Sequence, residues 1–397
     1  MNYLEIVNLV FQIIFGALSL LSIFYVIFAV VSVFKKKTFK ESEIKGRYGI
    51  IIPARNEEKV IGNLIESIKN TKYPKENLKI FVIAHNCNDN TAKVARDYGC
   101  IVYEYNNDKE KTKGYGLRYL FKQIDKDYGI NSLDGYFILD ADNIVASNYF
   151  DKMNDAFMYY EGKNIVSSFR NSKNFGKGLI PGLYGVYFAL GCFLESRGRT
   201  VCNCSTRVSG TGYVIPASAL QEGWKYVTLT EDWELTVDQI IAGHKVGYCE
   251  DAIFYDEQPT SFKIMWRQRV RWKRGHYLVF YYRFKDVIRN IFSRKKNFKI
   301  SLYDIAYNIA PMILIFFILN VLKLILVSLA PFFVDISYYQ VFINYNHSDP
   351  WYMNLLLNQS YIFDLSRTTL LGYCGTACMA IIGFIMGRKK LDMLISS

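Results

Sequence analysis

Residues 8–34 carry no charged side chain, and the run exceeds the roughly 20 residues that cross a bilayer as a helix. It predicts a transmembrane segment. Ahead of it, residues 1–7 hold Glu5 but no Lys or Arg, whereas Lys35-Lys36-Lys37 follows, so the positive-inside bias predicts the N-terminus outside and the following chain in the cytosol. A cleavable signal peptide carries the opposite flanks. Residues 305–329, interrupted by Asn308, Pro311, Asn320 and Lys323, read as a second span, and residues 368–386 as a third. Residues 331–365 contain no Lys or Arg, while Arg294-Lys295-Lys296 and Arg388-Lys389-Lys390 are basic, and the three spans agree on one multi-pass topology in the cell membrane. Lys323 either faces a polar path or partner, or snorkels to the far interface.

What remains, residues 47–298, is one cytosolic domain of ordinary size. It opens with an apolar strand, Tyr48-Gly49-Ile50-Ile51-Ile52, followed by helical spacing in Val60, Leu64, Ile65 and Ile68. The pattern repeats through a strand at 78–84, a helix at 91–98 and a strand at 100–103. Such alternation predicts a parallel α/β sheet that binds its ligand beyond the carboxyl ends of the strands, a nucleotide being the expected guest. The formal charge of +12 suits an anionic partner, but the lysines cluster beside the apolar runs, which points to lipid headgroups and not to nucleic acid. Eight cysteines occur without a Cys-x-x-Cys pair, so reduced thiols are expected and zinc is not.

Four patterns carry chemistry. Phe137-Ile138-Leu139-Asp140-Ala141-Asp142 reads as a strand ending in two acids one residue apart; alternate strand residues share a face, so both converge on one cation, and hard oxygen ligands suit Mg²⁺ or Mn²⁺. The competing reading is a turn acid capping a helix over 143–150. Thr230-Glu231-Asp232 offers a carboxylate base for a hydroxyl nucleophile, behind an apolar-polar run that can hold it rigidly. Gln268-Arg269-Val270-Arg271-Trp272 supplies guanidinium forks suited to phosphate and a flat face on which a sugar ring can stack. Pro53-Ala54-Arg55-Asn56-Glu57-Glu58 follows the first strand, where its acids either face a nucleotide or favour the positive end of the next helix.

Thr-Glu-Asp followed by Gln-x-x-Arg-Trp, in that order and separation, resembles the signature of the membrane-integrated processive glycosyltransferases of family 2, which include cellulose, chitin and hyaluronan synthases. The resemblance covers about residues 47–275 and the flanking spans. It implies a GT-A-type α/β domain with interfacial helices, here expected over 179–193 and 262–275, and about three transmembrane helices, the C-terminal region running over 304–390. It implies an inverting single displacement from a nucleotide sugar, expected to be UDP-linked. Asp232 would be the base, with Thr230 and Glu231 beside it. Asp142 would hold the metal and Asp140 the nucleotide. Pro53, Arg55, Asn56, Glu57, Asp89 and Lys113 would line the donor site, and Gln268, Arg269, Arg271 and Trp272 would close over donor and acceptor. Ser209-Gly210-Thr211-Gly212-Tyr213 is similar to the small-residue loop that receives the acceptor sugar. His85-Asn86-Cys87-Asn88-Asp89 departs from the family's Asp-Asp-Gly-Ser-x-Asp loop by lacking its leading acids.

The expected product is an extracellular or capsular polysaccharide, with single-sugar transfer to a lipid carrier as the alternative. A binding scaffold would need neither the base nor the metal acids, and a passive export channel would need more than three spans. The same count predicts a homo-oligomer or a second membrane subunit, with the small residues Gly372, Gly375, Ala377, Ala380 and Gly383 at the contact.

Overall fold

The computed structural model describes residues 3–294, 299–310 and 312–329. Two helices, Tyr3–Leu21 (α1) and Ile23–Phe34 (α2), precede an alternating run: Tyr48–Ala54 (β1), Ile61–Lys69 (α3), Leu78–His85 (β2), Thr91–Asp97 (α4), Ile101–Tyr105 (β3), Lys113–Tyr128 (α5) and Gly135–Ile138 (β4). Ile144–Val145 (β5), Tyr149–Tyr159 (α6), Ile165–Ser172 (β6), Leu179–Leu190 (α7), Arg197–Val201 (α8), Tyr213–Pro216 (β7), Glu231–Ala242 (α9) and Val246–Asp256 (β8) come next. Phe262–Phe292 (α10), Lys299–Ile309 (α11) and Met312–Ser328 (α12) follow.

The strands form one mixed sheet in the order β3-β2-β1-β4-β7-β6-β8-β5. β3, β2, β1 and β4 run parallel, and β7 is antiparallel to both β4 and β6. Successive strand residues point to opposite faces, and the burial follows that rule: Ile50, Ile52, Val82 and Phe137 enter one apolar cluster, while Ile51, Phe81, Ile83 and Ile138 enter another. Helices α3 and α6 supply Leu64, Ile65, Phe150 and Met153 to the first face, and α5 supplies Leu117, Leu120, Phe121 and Ile124 to the second. A third cluster joins Trp233 and Val237 of α9 to Val279 and Val287 of α10 and to Leu302, Ile305 and Ile309 of α11.

The chain divides into two units, one over Tyr25–Ile309 and one holding Met1–Phe24 and Ala310–Ser397. In the latter, Tyr3 Oη donates to the Leu326 carbonyl at 3.0 Å and Phe15 stacks on Phe316.

Four element bounds differ from the sequence expectation. The first apolar run is divided at Ser22, whose hydroxyl and amide both turn back to the Ser19 carbonyl, at 2.6 and 3.0 Å. The expected span over 305–329 is not one helix: α11 ends at Ile309 and α12 begins at Met312. Its first residues are core, because Leu302, Ile305, Ala306 and Ile309 form one helical stripe packed in the third cluster while Asp304 and Asn308 lie on the other side. The interfacial segment expected over 179–193 continues without a break through a π-helical turn, Gly191–Ser196, into α8. The one expected over 262–275 runs the full length of α10, since residues 276–292 contain neither Pro nor Gly to stop it. The third expected span, residues 368–386, and the basic run 388–390 lie outside the described residues, as do residues 331–365.

Candidate active site

The carboxyl ends of β1, β2 and β4 open onto a cavity of about 250 Å³ lined by Pro53, Arg55, Glu57, His85, Lys111, Lys113, Asp140 and Asp142, among others. Two loops build its rim by exchanging short polar side chains for backbone partners. Asn56, held at φ 59°, accepts the Asn88 amide on Oδ1 at 2.8 Å, and Thr91 Oγ1 accepts the Glu57 amide at 2.8 Å. Asp89 accepts the Thr91 amide and hydroxyl on one oxygen and the Glu58 amide on the other, and these bonds hold its carboxyl below the usual range although burial acts the other way. Asp89 therefore ties the two loops together and does not line the cavity. Asn86 is likewise committed, pairing with the backbone of Asn107 at 2.7 and 3.1 Å. Where the family pattern has acids, His85 reaches the cavity, stacked on Tyr105 and bonded through Nε2 to the Glu110 carbonyl at 2.7 Å. Burial lowers its pKa, so the ring is neutral at pH 7.

Asp140 and Asp142 lie beyond the end of β4, in a turn closed by the Asn143 amide on the Asp140 carbonyl at 3.0 Å. The acids therefore converge through a turn and not through strand alternation, and the helix expected from 143 begins only at Tyr149. Burial, then Asp256, Asp140 and Glu57, push the Asp142 carboxyl up to about 8. Such an acidic cluster fits a divalent cation, whose charge would relieve the repulsion. Among the described residues no three His, Cys, Asp or Glu side chains form a ready-made metal site. A cation held by one or two carboxylates, with substrate phosphate and water completing the shell, matches that donor set and matches Mg²⁺ or Mn²⁺.

Lys113 opens α5 and reaches into the acids. Its ammonium bonds Asp140 Oδ1 at 2.5 Å and the Gly210 carbonyl at 2.7 Å, and stands 3.9 Å from Glu231. Burial alone would lower its pKa, but Asp140 and Glu231 outweigh it and leave it raised, so Lys113 stays charged. The glycine after it has a packing reason: a Cβ on Gly114 would stand 2.3 Å from the Tyr226 carbonyl oxygen. Only glycine lets the start of α5 touch the segment leading into Thr230.

Glu231 and Asp232 are the first two residues of α9, where the helix N-terminus favours negative charge. Asp232 faces the glycine loop: a Cβ on Gly210, itself at φ 81°, would lie 3.8 Å from Asp232 Oδ2. Burial raises both pKa values, opposed by Lys113 at Glu231 and by the Trp233 amide, Lys113 and Arg271 at Asp232. A carboxylate of raised pKa beside a small-residue loop can take a proton from a hydroxyl placed in that loop.

Helix α10 closes the other side. A Cβ on Gly275 would fall 2.5 Å from Thr230 Oγ1, so the helix lies directly on the residue that starts α9. Toward α7, Gln268 Oε1 accepts the Tyr184 hydroxyl at 3.0 Å, and Trp272 sits against Tyr184 and Phe188. Arg269 lies over Tyr184 and Tyr187 at 4.7 Å from each ring and over Trp272 at 5.9 Å, so its planar face is taken by aromatics. Arg271 is exposed, and its charge is among the effects that lower the Asp232 carboxyl against burial.

The structure thus gathers Pro53, Arg55, Glu57, Lys113, Asp140 and Asp142 around one cavity, with Thr230, Glu231 and Asp232 beside it through Lys113 and Gln268, Arg269, Arg271 and Trp272 on the covering helix. Asn56 and Asp89 form the rim. Sequence reasoning passes over Asn143, Arg170 and Asp256, which stand behind Asp142. Asn143 is signalled only by following the acids, and Arg170 and Asp256 by nothing local.

Residues 46–275 match the family model described as glycosyltransferase like family 2. Among curated proteins, the chain is 27% identical over 243 residues to the probable glycosyltransferase YdaM of Bacillus subtilis, covering 59% of this chain and 56% of that one. It is 23% identical over 283 residues to the poly-beta-1,6-N-acetyl-D-glucosamine synthase of Staphylococcus aureus, covering 69% and 63%. The chain thus spans less than two thirds of the length of these relatives. Among solved structures, a mannosyltransferase from Pyrobaculum calidifontis in complex with GDP-Man and Mn²⁺ shares the fold at a TM-score of 0.55, with 14% identity and coverage of 97% of this chain and 99% of that one.

Proposed function

The chain belongs to the glycosyltransferase family 2 enzymes, with a GT-A-like α/β fold, and from that membership we propose that it is a membrane-bound inverting enzyme moving a sugar from a nucleotide sugar, UDP-linked, onto a growing extracellular or capsular polysaccharide. One observation carries the reading: Asp232 faces the Gly210 loop while Lys113 joins that loop to Asp140 and Glu231, so a base and a donor cavity share one centre. An acceptor hydroxyl in the 209–213 loop gives its proton to Asp232 as it attacks the donor's anomeric carbon from the side opposite the diphosphate. Glu57, Asp140 and Lys113 line the donor cavity, and Asp142, with Asp140 beside it, would hold the divalent ion, which neutralises charge on the departing diphosphate when bound. Thr230 sets the start of α9, and Gln268, Arg269, Arg271 and Trp272 cover the site from α10.

Membrane attachment rests on apolar surface. By length and composition, Ile6–Phe34 is able to cross a bilayer, and Ile13, Leu20, Val26 and Phe34 are exposed along it. Leu179–Val201 passes the same test, but its second half is buried around Arg199, which pairs with Glu195 and Asp304, so it serves as an interfacial and core helix. A catalytic domain in the cytosol, an N-terminus outside and assembly with a second copy or membrane subunit complete the reading.

Membranes containing the protein, incubated with a panel of radiolabelled nucleotide sugars and then separated into polymer and chloroform-soluble fractions, test donor and acceptor together. Label in polymer from one UDP-sugar is expected. Label only in the chloroform fraction would replace polysaccharide synthesis by transfer to a lipid carrier, and label from a guanosine donor alone would overturn the UDP assignment.

A further inference from the structure

Asn143 is wholly buried directly after Asp142, and its amide is saturated. Nδ2 donates to Asp142 Oδ1 at 3.2 Å and to Asp256 Oδ1 at 2.8 Å, while Oδ1 accepts the Asp140 amide at 3.1 Å and the Thr211 hydroxyl at 2.5 Å. This arrangement fixes the amide's orientation, because a flip would set its NH₂ against an N–H donor and its oxygen against two carboxylates.

The second oxygen of Asp256 is also spent. It accepts Arg170 Nε at 2.9 Å, a second bond from Arg170 Nη2, and Gln258 Nε2 at 2.7 Å. Arg170 is held in turn by the Ser209 carbonyl at 3.1 Å and by the Phe188 ring at 3.8 Å. Of the two carboxylates that Asn143 bridges, Asp256 therefore has its charge matched by Arg170, whereas Asp142 Oδ2 takes no hydrogen bond among the described residues, and Asp142 lines the donor cavity. A buried, fully satisfied network fixes a side chain more firmly than any one of its bonds does alone.

We infer that Asn143, backed by the Asp256–Arg170 pair, is a positioning residue that holds Asp142 with one carboxylate oxygen aimed at a divalent cation. The inference rests on the assignment of Asp142 as the cation-holding acid. Outer-shell partners of this kind change metal affinity by about 10–100-fold when removed, without touching the ion.

The test measures Mn²⁺ binding by loss of the free-ion electron paramagnetic resonance signal, on the purified full chain in lipid nanodiscs with UDP present. Wild type, Asp142→Ala, Asn143→Asp and Asp256→Asn are compared, with circular dichroism to confirm folding. Asn143→Asp keeps the shape but replaces the NH₂ that reaches both carboxylates by a carboxyl group with at most one donor, and Asp256→Asn keeps shape and packing while freeing Arg170. Wild type is expected to bind and Asp142→Ala not to bind. Asn143→Asp and Asp256→Asn are expected to bind at least tenfold more weakly, with a changed Mn²⁺ hyperfine pattern in the remaining complex. Failure of wild type to bind would overturn the cation assignment and this inference with it. Binding lost only in Asp142→Ala, with whichever folded second variant matches wild type, would overturn this inference alone.

Discussion

The ammonium of Lys113 bonds Asp140 at 2.5 Å, joining the helix that starts at Lys113 to the turn that carries the acids. The same ammonium lowers the pKa of both Glu231 and Asp232 against the burial that raises them. Lys113→Met removes the charge and nearly keeps the volume, so both carboxyls will titrate higher. The acid limb of the pH–kcat profile should move to higher pH, and the variant should lose little stability through this pair, since both partners line the open cavity and solvent screens them. An acid limb at its wild-type position would show that Lys113 does not set the base.

Asp232→Asn keeps the shape of the α9 N-terminus and removes the proton acceptor. Turnover should fall by about 10²–10⁴-fold, while donor binding, followed by calorimetry with the nucleotide diphosphate, stays within a few-fold of wild type. Near-normal turnover would move the base to Glu231, which precedes Asp232 at the start of α9 and stands 3.9 Å from Lys113.

Asp142 gives a prediction opposite in sign for stability and activity. Its folded pKa is raised to about 8, so the stability linked to this group is full below the ordinary carboxyl pKa and is lost as pH climbs toward 8. Asp142→Asn is neutral throughout. In chelator at pH 8 it should melt above wild type, by about 2–4 °C for each kcal/mol recovered, and the gain should shrink as pH falls toward 5. Saturating Mn²⁺ should reverse the order, because an ion that binds only the folded wild type stabilises it. The variant should not transfer sugar at any pH. Equal melting in chelator at pH 8 and pH 5 would remove the repulsion argument.

Local features are legible in the sequence because each depends on neighbours in the chain. The strand over Tyr48–Ala54 is legible as a short apolar run buried on both faces, and the acids after Ile138 as the end of another strand. Asp89 lies beyond the reach of the same reasoning, since its tie to the neighbouring loop depends on the Glu58 amide arriving from another part of the chain. The residues behind Asp142 were illegible for a like reason: Asn143 and Asp256 meet only after β8 has returned beside β6. The apolar run ending at Leu329 misleads differently, because Ile305 and Ile309 are as apolar as a membrane span and their burial against Trp233 is a property of the fold.

Gly275 separates positioning from stability. Alanine in its place would gain about 1 kcal/mol of helix propensity, yet its Cβ would meet Thr230 at 2.5 Å, and overpacking of this kind costs about 1–3 kcal/mol. The two terms offset in part and leave a loss of about 0–2 kcal/mol, so the melting temperature of Gly275→Ala should fall by no more than about 8 °C. The clash itself does not cancel. Thr230 is buried and β-branched, with few rotamers to yield, so α10 or the first turn of α9 must shift to relieve it. Either shift moves Asp232 relative to the Gly210 loop, and a displacement of about 1 Å at a reacting group can cost on the order of 10²-fold in rate. The donor cavity, lined from β1, β2, β4 and α5, is left in place. Steady-state kinetics should therefore show kcat reduced at least tenfold with donor KM little changed. A kcat within twofold of wild type would mean that α10 can retreat from Thr230 without disturbing the base.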